Sequence, residues 1–192
     1  MRIIGGELGG RKLNPPGKMP YTRPTTDVAK EGLFNIIENN LDISELKTLD
    51  LFGGTGSISY ELASRGATDQ TIIEKDAQMH EFIKSTAKRL HLEHLKAVRM
   101  DVFKFIDQCR EQFDFIFAGP PYALKNIDDL PVLIFNKNLL RNKGWFVLEH
   151  TPKNDYKKFP FYKTERNYGT TIFSIFIENR MTHEQGASQE NI

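Results

Sequence analysis

Leu49-Asp50-Leu51-Phe52-Gly53-Gly54-Thr55-Gly56 decides the fold of this chain. Thr48–Phe52 is a short, mostly apolar run that meets glycines at once, which reads as a buried strand. Ser57–Arg65 then carries Ile58 and Leu62 at helical spacing and stops at Gly66. Strand, glycine-rich bend and helix in direct succession form the junction where open α/β sheets bind ligands. Gly54 and Gly56 permit tight turns and a close ligand approach. Ser59 stands where a dinucleotide fingerprint needs its third glycine, which argues against a nicotinamide. Asp50 lies inside the bend, where its carboxylate suits a ligand with a positively charged amino acid end and would repel a pyrophosphate.

Outward from this junction the same alternation repeats. Strand-like runs follow at Thr71–Glu74, Ala97–Met100, Phe113–Ala118 and Trp145–Glu149. Helical runs lie between them: Ala77–Leu90, residues 102–109, and residues 130–140, which Gly144 follows. Repeated strand–helix–strand units imply right-handed crossovers and a parallel sheet covered on both faces. Phe161–Glu165 and Thr171–Glu178 differ, because only a short loop at Tyr168-Gly169 separates them. They must pair antiparallel. The sequence therefore predicts an α/β protein whose mostly parallel sheet ends in a hairpin.

Before the sheet, Thr25-Thr26-Asp27 starts a helix with Val28, Leu33, Ile36 and Ile37 on one face. Residues 1–25 read as a Gly/Pro-rich arm in which Arg2-Ile3-Ile4 and Arg11-Lys12-Leu13 could pair as a hairpin. The first 26 residues hold Arg2, Arg11, Lys12, Lys18 and Arg23 against Glu7 alone, and little apolar surface, which suits a phosphate backbone. Residues 26–180 form the main domain. Residues 181–192 are polar, without apolar periodicity, and read as a disordered tail.

The 192 residues suit one domain. The net charge of +1 gives no global basic character, so only the local charge of the arm speaks for nucleic acid. No stretch is long and apolar enough for a membrane span or a signal segment, which places the chain in the cytoplasm. Cys109 is the single cysteine and reads as a core thiol. His91 and His94 are three apart, a spacing that could place them on one helical face, but no further ligand completes a set, so no metal site is expected.

Two more strand ends carry carboxylates. Glu74 closes the second strand, where an acidic residue suits ribose hydroxyls. Asp101 follows the third and could accept a bond from an adenine amine, while Asp76 reads as a helix N-cap. Phe113–Ala118, apolar at almost every position, runs into Gly119-Pro120-Pro121-Tyr122. Two prolines stiffen that loop and let the Gly119 and Pro120 carbonyls face a ligand amine. Tyr122 offers a flat face for a splayed base.

Several segments together resemble the bacterial 16S ribosomal RNA guanine-N2 methyltransferase family, often labelled adenine-specific methylases. They are Met1-Arg2-Ile3-Ile4-Gly5-Gly6, Gly10-Arg11-Lys12-Leu13, Arg23-Pro24-Thr25-Thr26-Asp27, Glu31 with Leu33-Phe34-Asn35, Leu49–Gly56, Ile73-Glu74-Lys75-Asp76 and Pro120-Pro121-Tyr122. The resemblance implies a Rossmann-like, seven-stranded class I methyltransferase sheet, with one antiparallel strand and helices on both faces. It implies S-adenosyl-L-methionine as donor and a guanine N2 amine of 16S rRNA, in the small subunit or its assembly intermediate, as acceptor; separately from the resemblance, a monomer is expected. Carried over by motif, Asp50, Phe52, Gly54, Gly56, Glu74 and Asp101 contact the cofactor, with Arg23 and Thr25 beside it. Gly119, Pro120, Pro121 and Tyr122 form the reaction loop, and Arg2, Arg11 and Lys12 meet RNA.

The departure is Gly119, where the family has Asp or Asn. A glycine offers no side-chain acceptor for the reacting amine, a loss typically of about 10²–10⁴ in rate. Three consequences stay open: slow chemistry, another carboxylate such as Glu149 at a neighbouring strand end, or a cofactor fold that binds RNA without catalysis. DNA adenine-N6 methylation uses the same chemistry, but no separate target-recognition domain is present.

Overall fold

The computed structural model describes residues 1–17 and 25–179. Seven strands form one sheet: β1 Lys47–Leu51, β2 Asp69–Glu74, β3 Leu95–Arg99, β4 Phe113–Ala118, β5 Leu140–His150, β6 Tyr162–Tyr168 and β7 Thr171–Ile177. Five helices accompany them: α1 Asp27–Glu38, α2 Ser57–Ser64, α3 Ala77–Arg89, α4 Val102–Gln108 and α5 Asp129–Asn136. The strand order is β3-β2-β1-β4-β5-β7-β6. The first five strands are parallel, and β7 is antiparallel to both neighbours, as the short Tyr168-Gly169 link requires. The direction of strand addition reverses between β1 and β4, which makes their carboxyl ends the switch point.

Alternation along the central strands sorts the core into two layers. Phe115 and Phe117 of β4 and Val147 of β5 pack with Leu33, Phe34 and Ile37 of α1 and with Ile58 and Leu62 of α2. Ile116, Ala118, Phe146 and Leu148 face the other way, onto Val102 and Ile106 of α4 and Leu130 and Ile134 of α5. The helix starts are set by short polar side chains. The Thr26 hydroxyl accepts from Ala29 N at 3.2 Å, the Asp76 carboxylate from Met79 N at 2.9 Å, and Asp101 from Phe103 N and Lys104 N.

Four expectations need correction. Val28 is 70% exposed, because the buried face of α1 runs through Ala29, Leu33, Phe34 and Ile37. The helix expected at 130–140 ends at Asn136, and Gly144 sits inside β5, whose first half pairs with β4 across an irregularity. Cys109 is only half-buried and ends α4. The N-terminal arm also holds core residues. Ile3 and Leu13 are buried with Tyr60, Ile72 and Ile83, and an antiparallel bridge joins Arg2 to Lys12. No helix among the described residues is long and apolar enough to cross a membrane.

Candidate active site

The loop after β1 is held from below and from the side. Gly53 N donates to Ile73 O at 2.7 Å, and a Cβ at residue 53 would lie 2.5 Å from the Ile72 side chain, so only glycine lets the loop pack so closely on β2. Phe52 adopts φ 63° and Gly56 φ 80°, left-handed values that are unusual for a residue like phenylalanine. A Cβ at Gly56 would strike the Tyr60 ring at 2.6 Å. Gly56 caps α2 without a side-chain acceptor, so the first N–H groups of that helix are left to the loop side.

Carboxylates surround this loop. Asp50 lies within β1, not in the bend itself, and is buried with its Oδ2 accepting from the Ser59 hydroxyl at 2.8 Å. Burial pushes its pKa up to about 7. The Ser59 bond acts against that shift, and the charges of Glu74 and Glu149 add to it. Glu74, at the end of β2, turns back: Oε2 accepts from Gly54 N and Oε1 from Asp76 N, both at 2.7 Å. Asp101, one strand further, takes two helix N–H groups on Oδ1. Strand-end register therefore gathers Asp50, Phe52, Gly54, Gly56 and Glu74 around one loop, with Asp101 beyond Glu74 at the end of β3.

The second loop leaves β4 beside it. Gly119 N donates to Leu51 O at 3.4 Å, tying the Gly-Pro-Pro-Tyr segment to β1. Pro120 is buried and Pro121 half-buried. Tyr122 is 42% exposed, its hydroxyl 3.5 Å from the Thr171 hydroxyl. Across from this loop, Thr25 donates to Glu149 Oε2 at 2.7 Å. Thr25 thus stands beside the reaction loop, on the β5 side. Arg23 lies outside the described residues.

Of the RNA candidates, Arg11 and Lys12 are exposed, whereas Arg2 is held by Asp27 at 2.7 Å. The sequence did not single out Lys30, which is buried against Glu61 Oε1 at 3.0 Å and donates to Arg2 O and Ser57 Oγ. Glu61 also accepts from Ile4 N, Gly5 N and Arg65. Nothing local marked this pair, since a lysine and a glutamate 31 residues apart on separate helices read as surface charges. Among the described residues no cluster of His, Cys, Asp or Glu could hold a metal ion.

Comparison with known proteins bears on the fold and the family. The Escherichia coli Ribosomal RNA small subunit methyltransferase D is 32% identical over 149 residues, spanning 78% of this chain and 71% of that protein. The structure of Escherichia coli yhhF superposes with a TM-score of 0.82 at 25% identity, covering 94% of this chain and 99% of that one. An RNA methyltransferase from Salinibacter ruber, solved with S-adenosyl-L-homocysteine, shares the fold at a TM-score of 0.64 and 14% identity, over 84% of this chain and 97% of that one. The architecture is thus that of the class I, S-adenosylmethionine-dependent methyltransferases. The family model described as Conserved hypothetical protein 95 matches residues 1–177, from the buried arm through the last strand, and this chain belongs to that family.

Proposed function

We propose that this protein transfers a methyl group from S-adenosyl-L-methionine to the exocyclic N2 amine of a guanine in 16S rRNA of the small ribosomal subunit. The observation that carries the reading is the meeting of two loops at the β1/β4 switch point: the glycine loop after β1 and Gly119-Pro120-Pro121-Tyr122 after β4. The relative named for small-subunit rRNA methylation supplies the substrate class.

The chain's own residues fit the cofactor. The Gly54 position is open: a Cβ there would meet only Phe52 O, at 3.8 Å, and the left-handed φ of 55° suits glycine. The start of α2 faces the same space without a capping side chain. The ionised Asp50 suits the cofactor's ammonium, Glu74 its ribose hydroxyls and Asp101 its adenine amine. The bound cofactor supplies an electrophilic methyl on a sulfonium. The protein's work is positioning: the Pro-Pro loop fixes the amine in line, and Tyr122 stacks on the base. Arg11 and Lys12 meet RNA phosphates.

The test is methyl transfer from labelled cofactor to three substrates: unmodified small subunits, naked 16S rRNA and DNA. Digestion should yield labelled N2-methylguanosine from the ribosomal substrates. Labelled N6-methyladenine from DNA would replace this reading. Cofactor and RNA binding without any transfer would favour a non-catalytic role, as the glycine at 119 would allow.

A further inference from the structure

We infer that Glu149 supplies the acceptor for the target amine that residue 119 lacks, and that Thr25 holds it in place. The inference rests on the methyltransferase reading above and adds a residue that the Gly-Pro-Pro-Tyr loop does not contain.

The register makes the argument. Asp50 pairs with Phe117, and Phe117 with Val147, so these residues share one face of adjacent strands. The printed register runs on to Ala118 with Leu148, and Gly119, just past β4, and Glu149, still in β5, follow it at the carboxyl edge. A Cβ built on Gly119 would lie 3.6 Å from Glu149 Oε2, in ordinary contact. A side-chain carboxylate extending from residue 119 toward this edge would therefore enter the space beside the Glu149 carboxylate. That Cβ would also stand 3.0 Å from the Phe117 ring, tighter than most real contacts. The smallest residue at 119 thus leaves room for a longer acid arriving from the next strand.

Glu149 is held for the task. It is 5% exposed, and Thr25 donates to its Oε2 at 2.7 Å from the segment just before α1. A carboxylate offers about four acceptor directions over its two oxygens, so Glu149 keeps the partners it has and still accepts from the amine. In the transfer, the amine lone pair forms the new N–C bond while the C–S bond electrons return to sulfur. The nitrogen becomes positive and then gives one N–H proton to the Glu149 carboxylate, which passes it to water. Accepting the N–H bond beforehand aims the lone pair at the methyl.

The experiment uses the full chain with Glu149→Gln, Thr25→Val, Gly119→Asp and the double variant Gly119→Asp/Glu149→Gln. In single-turnover transfer to unmodified small subunits, Glu149→Gln should be slower by about 10²–10³, with S-adenosylhomocysteine and RNA affinities within threefold of native. Thr25→Val should be slower by roughly tenfold with the same affinities. In the double variant the new aspartate should restore at least tenfold of the lost rate. An independent readout needs no substrate: in the unliganded protein Gly119→Asp should lower Tm, and adding Glu149→Gln should recover part of the loss, because the like charges no longer meet.

A Glu149→Gln variant that is folded and transfers within threefold of the native rate overturns the inference. Additive Tm changes in the double variant also overturn it, even if Glu149→Gln proves too unstable to assay. A native protein that transfers to no substrate sinks the methyltransferase reading itself, and this inference with it.

Discussion

Lys30 Nζ lies 3.0 Å from Glu61 Oε1, and the two side chains are 2% and 0% exposed. The pair joins α1 to α2. Glu61 also accepts from the backbone of Ile4 and Gly5, so the same carboxylate fastens the N-terminal arm. Breaking a buried pair leaves an uncompensated charge and typically costs about 3–5 kcal/mol. Glu61→Gln should approach that loss in urea unfolding, because the acceptors then around Lys30, the Arg2 carbonyl and Ser57 hydroxyl among them, are neutral. Lys30→Met should cost less, since Glu61 retains Arg65. Equal losses would mean that Arg65 does not share the charge.

Asp50 gives a pH dependence with a definite sign. Burial raises its pKa from 3.8 to about 7, so between those values the folded protein binds more protons than the unfolded chain. The contribution of this group to stability is present in full below about pH 4, falls as pH rises toward 7, and is level above that. Binding a cationic amino acid end requires the ionised form. Cofactor affinity should therefore rise between pH 5.5 and 7, by at most about tenfold per pH unit, and level off above it. Calorimetry near pH 6.5 should show proton release. Asp50→Asn should bind weakly at every pH, and a flat native profile would remove Asp50 from the cofactor's ammonium.

The parts of the fold that were legible in sequence are those where one element carries its own pattern. Phe113–Ala118 was readable to the residue, because a strand buried on both faces is apolar at almost every position, here at all but Asp114. The capping role of Asp76 and the antiparallel end followed from local chemistry and loop length. Non-local contacts were not legible. The first half of β5 is polar and pairs only through an irregular register, and the buried state of Lys30 depends on a partner on another helix. The arm looked like a charged extension because the residues it sinks into the core, Ile3 and Leu13, stand isolated among glycines, prolines and basic side chains. At the site, strand ends could be named from sequence, but the nearness of Gly119 to Glu149 needed the register of β4 against β5.

Gly56→Ala should damage the cofactor loop in a way that strain alone does not. Gly56 and Gly10 have nearly equal φ, 80° and 81°. A Cβ at Gly10 meets nothing within 4 Å, whereas at Gly56 it meets the buried Tyr60 ring at 2.6 Å. Gly10→Ala should thus carry only the left-handed cost, about 1–2 kcal/mol, and leave cofactor binding intact. Gly56→Ala should lose more stability and weaken S-adenosylhomocysteine by tenfold or more. The difference in Tm between the two variants measures the ring contact, and indistinguishable variants would show that the loop yields freely.

Arg11 and Lys12 separate the arm's two roles. Both are exposed, while Arg2 is engaged with Asp27 and its own carbonyl accepts from buried Lys30. If the arm meets RNA, the exposed pair should carry it. Arg11→Gln/Lys12→Gln should weaken binding to 16S rRNA fragments and lower the slope of log K against log salt by about one to two, since each lost phosphate contact releases one counterion fewer. The Tm should stay within a degree or two, because Ile3, Leu13 and the Lys30–Glu61 pair are untouched. Arg2→Gln should cost no more than about 1 kcal/mol, because its ion pair with Asp27 is 57% and 43% exposed, and should change the salt slope little. An unchanged slope in the double variant, with binding intact, would place the RNA surface elsewhere and leave the arm a purely structural clasp.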